Sequence, residues 1–136
     1  MNIFQRLFKL SKATNDKSVF QRIESAKPKY LTVLKSIETI LRQNKLSGQA
    51  NFVKDVVLKL TSSNYEMFVK QINSVNMWGG SGAVWEVYIE NSDMQRKFHK
   101  AIIELINIME DTKILGQGIK PIRTAFQKEL QRSIAA

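Results

Sequence analysis

The sequence predicts a mainly α-helical protein, a single-domain bundle of about six helices spanning residues 1–136. Two observations support this prediction. Apolar residues recur at steps of three and four along nearly all of the 136-residue chain, which is the spacing of one helix face. Turn residues interrupt the pattern at intervals, and no internal repeat or long linker divides the chain into separate domains.

The first half of the chain is expected to form four amphipathic elements. A short apolar face, Ile3–Leu10, is followed by a second short piece at Val19–Ile23. Pro28 suits the first turn of the next helix, because its missing N–H is not needed there. Ser47-Gly48 marks a break, and the apolar stripe of Phe52–Leu60 predicts the helix that follows.

The second half contains two sequences with the spacing of a capping box, in which a hydroxyl residue is followed three positions later by Glu or Gln. Ser63 precedes one helix and Ser92 precedes another. The second of these helices has the strongest apolar stripe, and we expect its residues to be buried: Phe98, Ile102, Leu105, Ile106 and Met109. After a glycine-containing loop, Pro121 begins a final helix.

The segment 83–89 is ambiguous. Apolar residues occupy Ala83, Trp85, Val87 and Ile89, and this alternation is typical of a β-strand. A strand needs a partner for its backbone hydrogen bonds, and no second alternating run of this quality exists. We therefore expect a short helix that begins after Gly82, with a short strand at 83–89 as the alternative.

Composition restricts the class of protein. The chain has no cysteine, so disulfides, thiol nucleophiles and cysteine-based metal sites are excluded. The interrupted N-terminal sequence does not resemble a signal peptide, and no segment is apolar for the roughly 18 residues that a spanning helix needs. A soluble, cytoplasmic protein without a transmembrane segment is the expectation.

The formal net charge of +9 is unevenly distributed. Residues 1–60 contain 12 Lys or Arg against 4 Asp or Glu. A basic half suggests an acidic partner such as nucleic acid or an acidic protein, and it also suits a solvated surface. We expect Lys35, Arg42, Lys45, Lys54 and Lys59 to be spread over several faces, so that nucleic acid is bound only weakly and without specificity.

The run Met77–Glu86 holds three of the six glycines and both tryptophans. It lacks the Gly-Lys-Ser/Thr ending of a Walker loop, and Trp85 occupies the place of the third glycine of a dinucleotide fingerprint. The glycines indicate a tight corner with at least one positive φ. The candidate binding residues are Trp78, Gly79, Gly80, Gly82, Trp85, Glu86 and Tyr88.

No catalytic residue, metal site or cofactor is predicted. His99 is the only histidine, and one imidazole does not make a multi-histidine metal site or a catalytic pair. Glu86, Glu90 and Asp93 lie among basic residues that pair with them on a surface. An enzyme with an unrecognised site near the 79–86 turn is the third functional alternative.

Across residues 65–110, the chain resembles a group of small bacterial helical proteins without an assigned activity. These proteins carry a Gly-Gly-x-Gly-small-hydrophobic-x-acidic turn ahead of a long C-terminal helix. The matching residues here are Gly79, Gly80, Gly82, Ala83, Val84 and Glu86. The resemblance implies a small helical domain that acts by binding a partner, as bacterial immunity and accessory proteins do.

The sequence therefore predicts a non-enzymatic bacterial protein-binding module of immunity or accessory type. Its anchors would be Trp78, Trp85 and Tyr88, because aromatic residues contribute most to interface energetics. The alternative is a basic nucleic-acid-binding protein. The oligomeric state and the identity of the partner stay open.

Overall fold

The computed structural model describes residues 16–135 of the chain. It contains six α-helices: α1 (Asp16–Gln43), α2 (Ser47–Thr61), α3 (Tyr65–Ile72), α4 (Val75–Trp78), α5 (Ser92–Asp111) and α6 (Lys120–Ala135). A 3₁₀ turn, Val84–Glu86, lies between α4 and α5. The predicted mainly α-helical, bundle-like fold is confirmed. The apolar face expected at Ile3–Leu10 lies outside the described residues.

Helix α1 is central to the packing, with α2 along one side and α5 along the other, and α6 packs on α5. Helices α1 and α5 run antiparallel. The Tyr30 hydroxyl of α1 lies 2.6 Å from the Thr112 hydroxyl at the C-terminal end of α5. At the opposite end, Gln43 and Met94 line the same groove. In the described helices no segment has the length and apolar character of a membrane span.

The apolar stripe of α5 forms the middle of the core. Its five predicted core residues are all fully buried, with no exposed surface: Phe98, Ile102, Leu105, Ile106 and Met109. Residues on the opposite side of the helix, such as Lys97 and Lys100, are exposed. The three- and four-residue spacing therefore identified the buried face correctly.

The prediction of a separate short piece before Pro28 was wrong, because α1 is one continuous helix of 28 residues with Pro28 inside it. Proline in a helix removes one backbone hydrogen bond and opposes helix formation locally. On either side of Pro28, however, α1 buries Val19, Ile23 and Tyr30 completely. This burial of apolar surface outweighs the local cost, since helices in proteins are stabilised mainly by tertiary packing.

Three helices end in the same way, with a non-glycine residue in the left-handed region. Lys45, Ser63 and Lys113 have φ values of 61°, 59° and 61°. The next residue in each case donates its N–H to a carbonyl five positions back: Leu46 to Leu41, Asn64 to Lys59 and Ile114 to Met109. This bonding is the Schellman motif, which satisfies carbonyls at the helix end. The motif closes α1, α2 and α5 and begins the link that follows each of them.

Asparagine caps two helices, one residue away from the predicted caps in each case. The Asn64 side chain accepts a hydrogen bond from the Met67 N–H at the start of α3. The Asn91 side chain accepts one from the Met94 N–H at the start of α5. Asn is as effective a helix N-cap as Ser. The capping-box spacing pointed to the neighbouring serine in each case and did not show that the asparagine is the cap.

A buried amide joins the two halves of the bundle. Asn73, only 4% exposed, lies directly after α3. Its Nδ2 donates to the carbonyls of Val69 and Ile114, each at 3.0 Å. Its Oδ1 accepts the N–H of Gly116 at 3.1 Å. The link between α5 and α6 is therefore fixed against the end of α3 by one side chain.

Candidate binding surfaces

The turn segment, residues 79–91, is the longest stretch without α-helix between two helices of the described chain. After the single turn of α4 it passes through the glycines, makes the 3₁₀ turn Val84–Glu86 and continues as extended backbone to α5. The alternative of a short strand at 83–89 was wrong, and the expected helix is shortened to the 3₁₀ turn. Alternation of buried and exposed side chains is nevertheless present from Trp85 to Glu90, because the segment runs along the core surface.

The glycines differ in what they do. Gly82 has a φ of 87°, so the positive φ expected in this corner is present. Gly79 has an ordinary φ, but a Cβ there would lie 2.6 Å from the carbonyl oxygen of Val75. A Cβ at Gly80 would meet nothing within 4 Å. The corner therefore requires glycine at 79 for space and at 82 for conformation.

Both tryptophans donate their indole N–H to a backbone carbonyl of the protein itself. The Nε1 of Trp78 donates to the carbonyl of Ile72 at 2.6 Å, and the Nε1 of Trp85 donates to the carbonyl of Gly79 at 2.9 Å. Both rings are half-buried against the core. The Trp85 ring also lies near Phe126 of α6, with centroids 6.1 Å apart. The tryptophans therefore hold the corner and attach it to the bundle.

Further contacts fix the turn segment from the helices. The Gln49 side chain of α2 donates to the carbonyl of Gly82 at 3.1 Å. The Gln95 side chain of α5 accepts the N–H of Ile89 at 3.1 Å, and its amide nitrogen lies 2.9 Å from Nε2 of His99. His99 is buried, and burial lowers the pKa of its imidazole, against an opposing effect of Glu129. Sequence analysis did not predict this chain of contacts, which runs from the Ile89 backbone through the Gln95 amide to the His99 imidazole.

The exposed part of the turn segment carries Tyr88. This residue is 79% exposed, whereas the next residue, Ile89, is only 2% exposed. Glu86 and Glu90 are also exposed, at the positions two before and two after Tyr88. Of the candidate residues predicted from the sequence, Gly80, Gly82, Glu86 and Tyr88 are thus presented to solvent, while Trp78, Gly79 and Trp85 are partly covered.

A second surface, which sequence analysis missed, is a groove of about 580 Å³ between α1 and α5. We call it the α1–α5 groove. It is lined by Thr32, Lys35, Ser36, Thr39, Ile40 and Gln43 from α1, and by Met94, Lys97, Lys100, Ala101 and Glu104 from α5. Two of the lining residues, Ser36 of α1 and Ala101 of α5, are small and leave space between the helices that larger side chains would fill.

The α1–α5 groove is basic. Lys35, Lys97 and Lys100 are exposed and form no ion pair with any described residue, and Glu104 is the only carboxylate that lines the groove. The adjoining depression adds Arg42, which is paired with Glu38 at 2.9 Å. Cations from both halves of the sequence thus meet here, a grouping that depends on how α1 and α5 pack.

Comparison with known proteins adds no relative. No protein family, curated protein or solved structure matches the chain. Among the described residues, no three histidine or acidic side chains are grouped so that they could hold a metal ion.

Proposed function

We propose that the protein is a non-enzymatic protein-binding module, which acts in the bacterial cytoplasm as an immunity-type or accessory protein does. The observation that carries this proposal is the 79% exposure of Tyr88. A tyrosine ring offers a large apolar area and a hydroxyl donor, and such side chains dominate binding energy once a partner covers them.

The backbone around Tyr88 is held in place before any partner arrives. The following residue, Ile89, is buried and hydrogen-bonded through its N–H to Gln95. The preceding residue, Val87, packs partly buried against the core. A segment that is already ordered loses less conformational entropy on binding than a free loop does. This support favours recognition by a fixed surface.

The chemistry around Tyr88 indicates the kind of surface that would cover it. Glu86 and Glu90 are exposed on either side of Tyr88 in the sequence. A complementary partner would offer an apolar pocket for the ring and basic groups at its rim, since interfaces combine an apolar centre with a polar periphery. Tyr88 is the expected anchor, and the two carboxylates would direct the approach.

Photo-crosslinking in cells that make the protein tests this proposal. We would place a photoreactive benzophenone amino acid at position 88 and, in a matched variant, at Gln127, an exposed residue of α6. We expect one covalent adduct of defined mass from position 88 and none from position 127. With the purified partner, Tyr88→Ala should weaken binding by at least about tenfold, which corresponds to about 1.4 kcal/mol.

The same experiment can contradict the proposal. Equal labelling from positions 88 and 127 would show that adducts form by random encounter. Unchanged affinity of a Tyr88→Ala variant with the parent's melting temperature would remove Tyr88 as an anchor. Because the side chain is exposed, we expect that substitution to change the free energy of unfolding by less than about 0.5 kcal/mol.

A further inference from the structure

We infer that the α1–α5 groove is a second binding surface, which takes an acidic polypeptide segment with apolar residues along one side. This inference does not depend on the role of Tyr88, because the two surfaces share no residue. It rests on the shape of the groove, on its charge and on the chemistry of its floor.

The shape suits a segment lying along the two helices. The α1 wall runs from Thr32 to Gln43, and at a rise of 1.5 Å per residue this is about 16 Å, or three helical turns. The α5 wall runs antiparallel to it, from Met94 to Glu104. A channel of this length accommodates about three turns of a partner helix, a common mode of recognition by helix pairs.

The charge requires an acidic occupant. Lys35 lies on the α1 wall, and Lys97 and Lys100 lie on the α5 wall. None of the three forms an ion pair with a described residue. Carboxylates along both edges of a bound segment would complement these cations. Glu104, the single groove carboxylate, would favour one orientation of the segment by accepting a basic residue at one end.

The residues between the lysines form the floor of the groove, and their chemistry distinguishes a polypeptide from a nucleic acid as the occupant. Ile40, Met94 and Ala101 provide apolar surface between the lysines, which suits aliphatic side chains. Single-stranded nucleic acid is bound by stacking its bases on aromatic rings, and specific duplex readout uses arginine and amide groups. The lining residues of the groove include no aromatic ring and no arginine, and Gln43 is their only side-chain amide. The apolar floor therefore favours an acidic polypeptide over a phosphate backbone.

A defined peptide tests this inference. The probe is a fluorescein-labelled, 14-residue helical peptide with leucines on one face and glutamates along its flanks. We would measure its anisotropy with the full-length protein at about 100 mM salt, where exposed charges are still felt over roughly 10 Å. The charge-reversal pair Lys35→Glu and Lys97→Glu should weaken binding by at least about tenfold.

The controls separate the groove from general charge. Lys29→Glu with Lys54→Glu changes the net charge equally at exposed positions outside the groove, and it should weaken binding less than about twofold. A peptide whose leucines are replaced by glutamine should bind at least about tenfold more weakly, because the apolar floor is then unused. Tyr88→Ala should not change the affinity for the peptide.

Three outcomes would overturn the inference. One is an absence of peptide binding, and another is an equal loss of affinity in the groove pair and the control pair. The third is tighter binding of a 14-nucleotide oligothymidylate than of the peptide, with the same dependence on Lys35 and Lys97. That result would assign the groove to nucleic acid.

Discussion

The imidazole of His99 stacks on the ring of Phe126, with centroids 4.0 Å apart and planes inclined by 21°. This contact joins α5 to α6. A second contact, with the side-chain amide of Gln95, determines which protonation state of the imidazole the fold favours. The oxygen of Gln95 is occupied by the Ile89 N–H, so its amide nitrogen faces Nε2 of His99. An amide nitrogen only donates, so Nε2 must accept, as it does in neutral histidine.

The first prediction is that stability falls as the pH drops below about 6.5. Burial lowers the pKa of His99 from its ordinary value of 6.5, and Glu129 opposes that shift. The unfolded chain therefore binds the proton more readily than the folded one. The stability is complete above pH 6.5 and is lost progressively as the pH falls towards the lowered pKa of the folded state. Urea unfolding at pH 7.5 and 5.5 measures the difference.

A single variant isolates this effect, since His99 is the only histidine of the chain. His99→Phe retains an aromatic ring against Phe126 and cannot be protonated. At pH 7.5 its free energy of unfolding should be lower than that of the parent, because the Gln95 amide loses its acceptor. Its pH dependence between 5.5 and 7.5 should be much reduced. If the full dependence persists in this variant, the imidazole is not its source.

The second prediction contrasts two neighbouring glycines. Gly79→Ala should cost about 1–3 kcal/mol, because the new methyl group would be forced against the Val75 carbonyl oxygen, 2.6 Å away. Gly80→Ala should change stability by less than about 0.5 kcal/mol, since its Cβ would project into open space. Chemical denaturation of the two variants side by side gives the comparison. Equal stability of the two variants would show that the backbone at Gly79 moves away from the added methyl group without a cost in free energy.

The third prediction concerns Asn73, whose amide holds the carbonyl of Ile114 and the N–H of Gly116. Asn73→Ala should cost about 2–4 kcal/mol, because two buried backbone groups lose their partner. Asn76→Ala, at an exposed position, is the matched control and should cost less than about 0.5 kcal/mol. Amide hydrogen exchange at Gly116 should accelerate in the first variant only. Unchanged exchange at Gly116 would show that the Asn73 side chain does not protect this N–H.

The fourth prediction concerns the apolar stripe of α5. Leu105→Ala should cost about 2–5 kcal/mol, because Leu105 is fully buried and its truncation leaves a cavity. Ile103→Ala, at a half-buried position two residues earlier in the same helix, should cost clearly less. Thermal and urea unfolding measure both values. A cost at Ile103 equal to that at Leu105 would argue against a single buried face.

The sequence predicted the stripe of α5 well because burial of a helix face depends on local periodicity, which neighbouring residues display directly. It failed at Pro28, since the packing that keeps α1 continuous comes from residues distant in sequence. In the segment 83–89 the alternation placed Val87 and Ile89 on one face, and both pack on the core, whereas Val84 on the opposite face is buried as well. The alternation did not show whether a partner strand exists, because it reports which side chains share a face and not the hydrogen bonding.

The candidate surfaces show the same contrast between features set by the local sequence and features set by the packing of distant residues. Tyr88 was predicted as an anchor because aromatic residues contribute most to interface energetics, and its binding role stays a prediction. The partial burial of Trp78 and Trp85 depends on Ile72 and Gly79 carbonyls placed by the fold, which no sequence pattern specifies. The α1–α5 groove was missed for a related reason. Lys35 and Lys97 each lie on a polar helix face, and only the packing of the helices makes those faces adjacent.

Helices α1, α2 and α5 end in the same motif. At these helix ends the stability of the protein can be raised without a change in its core or its binding surfaces. Lys45, Ser63 and Lys113 are exposed L-residues held at φ near 60°, where a side chain costs roughly 1–2 kcal/mol. Glycine has no such cost, although its greater freedom in the unfolded chain offsets part of the gain. Because the three residues close separate helices and share no hydrogen-bond partner, their effects should add. An engineer who wished to raise the melting temperature of this protein could therefore begin at its helix ends and leave every buried residue untouched.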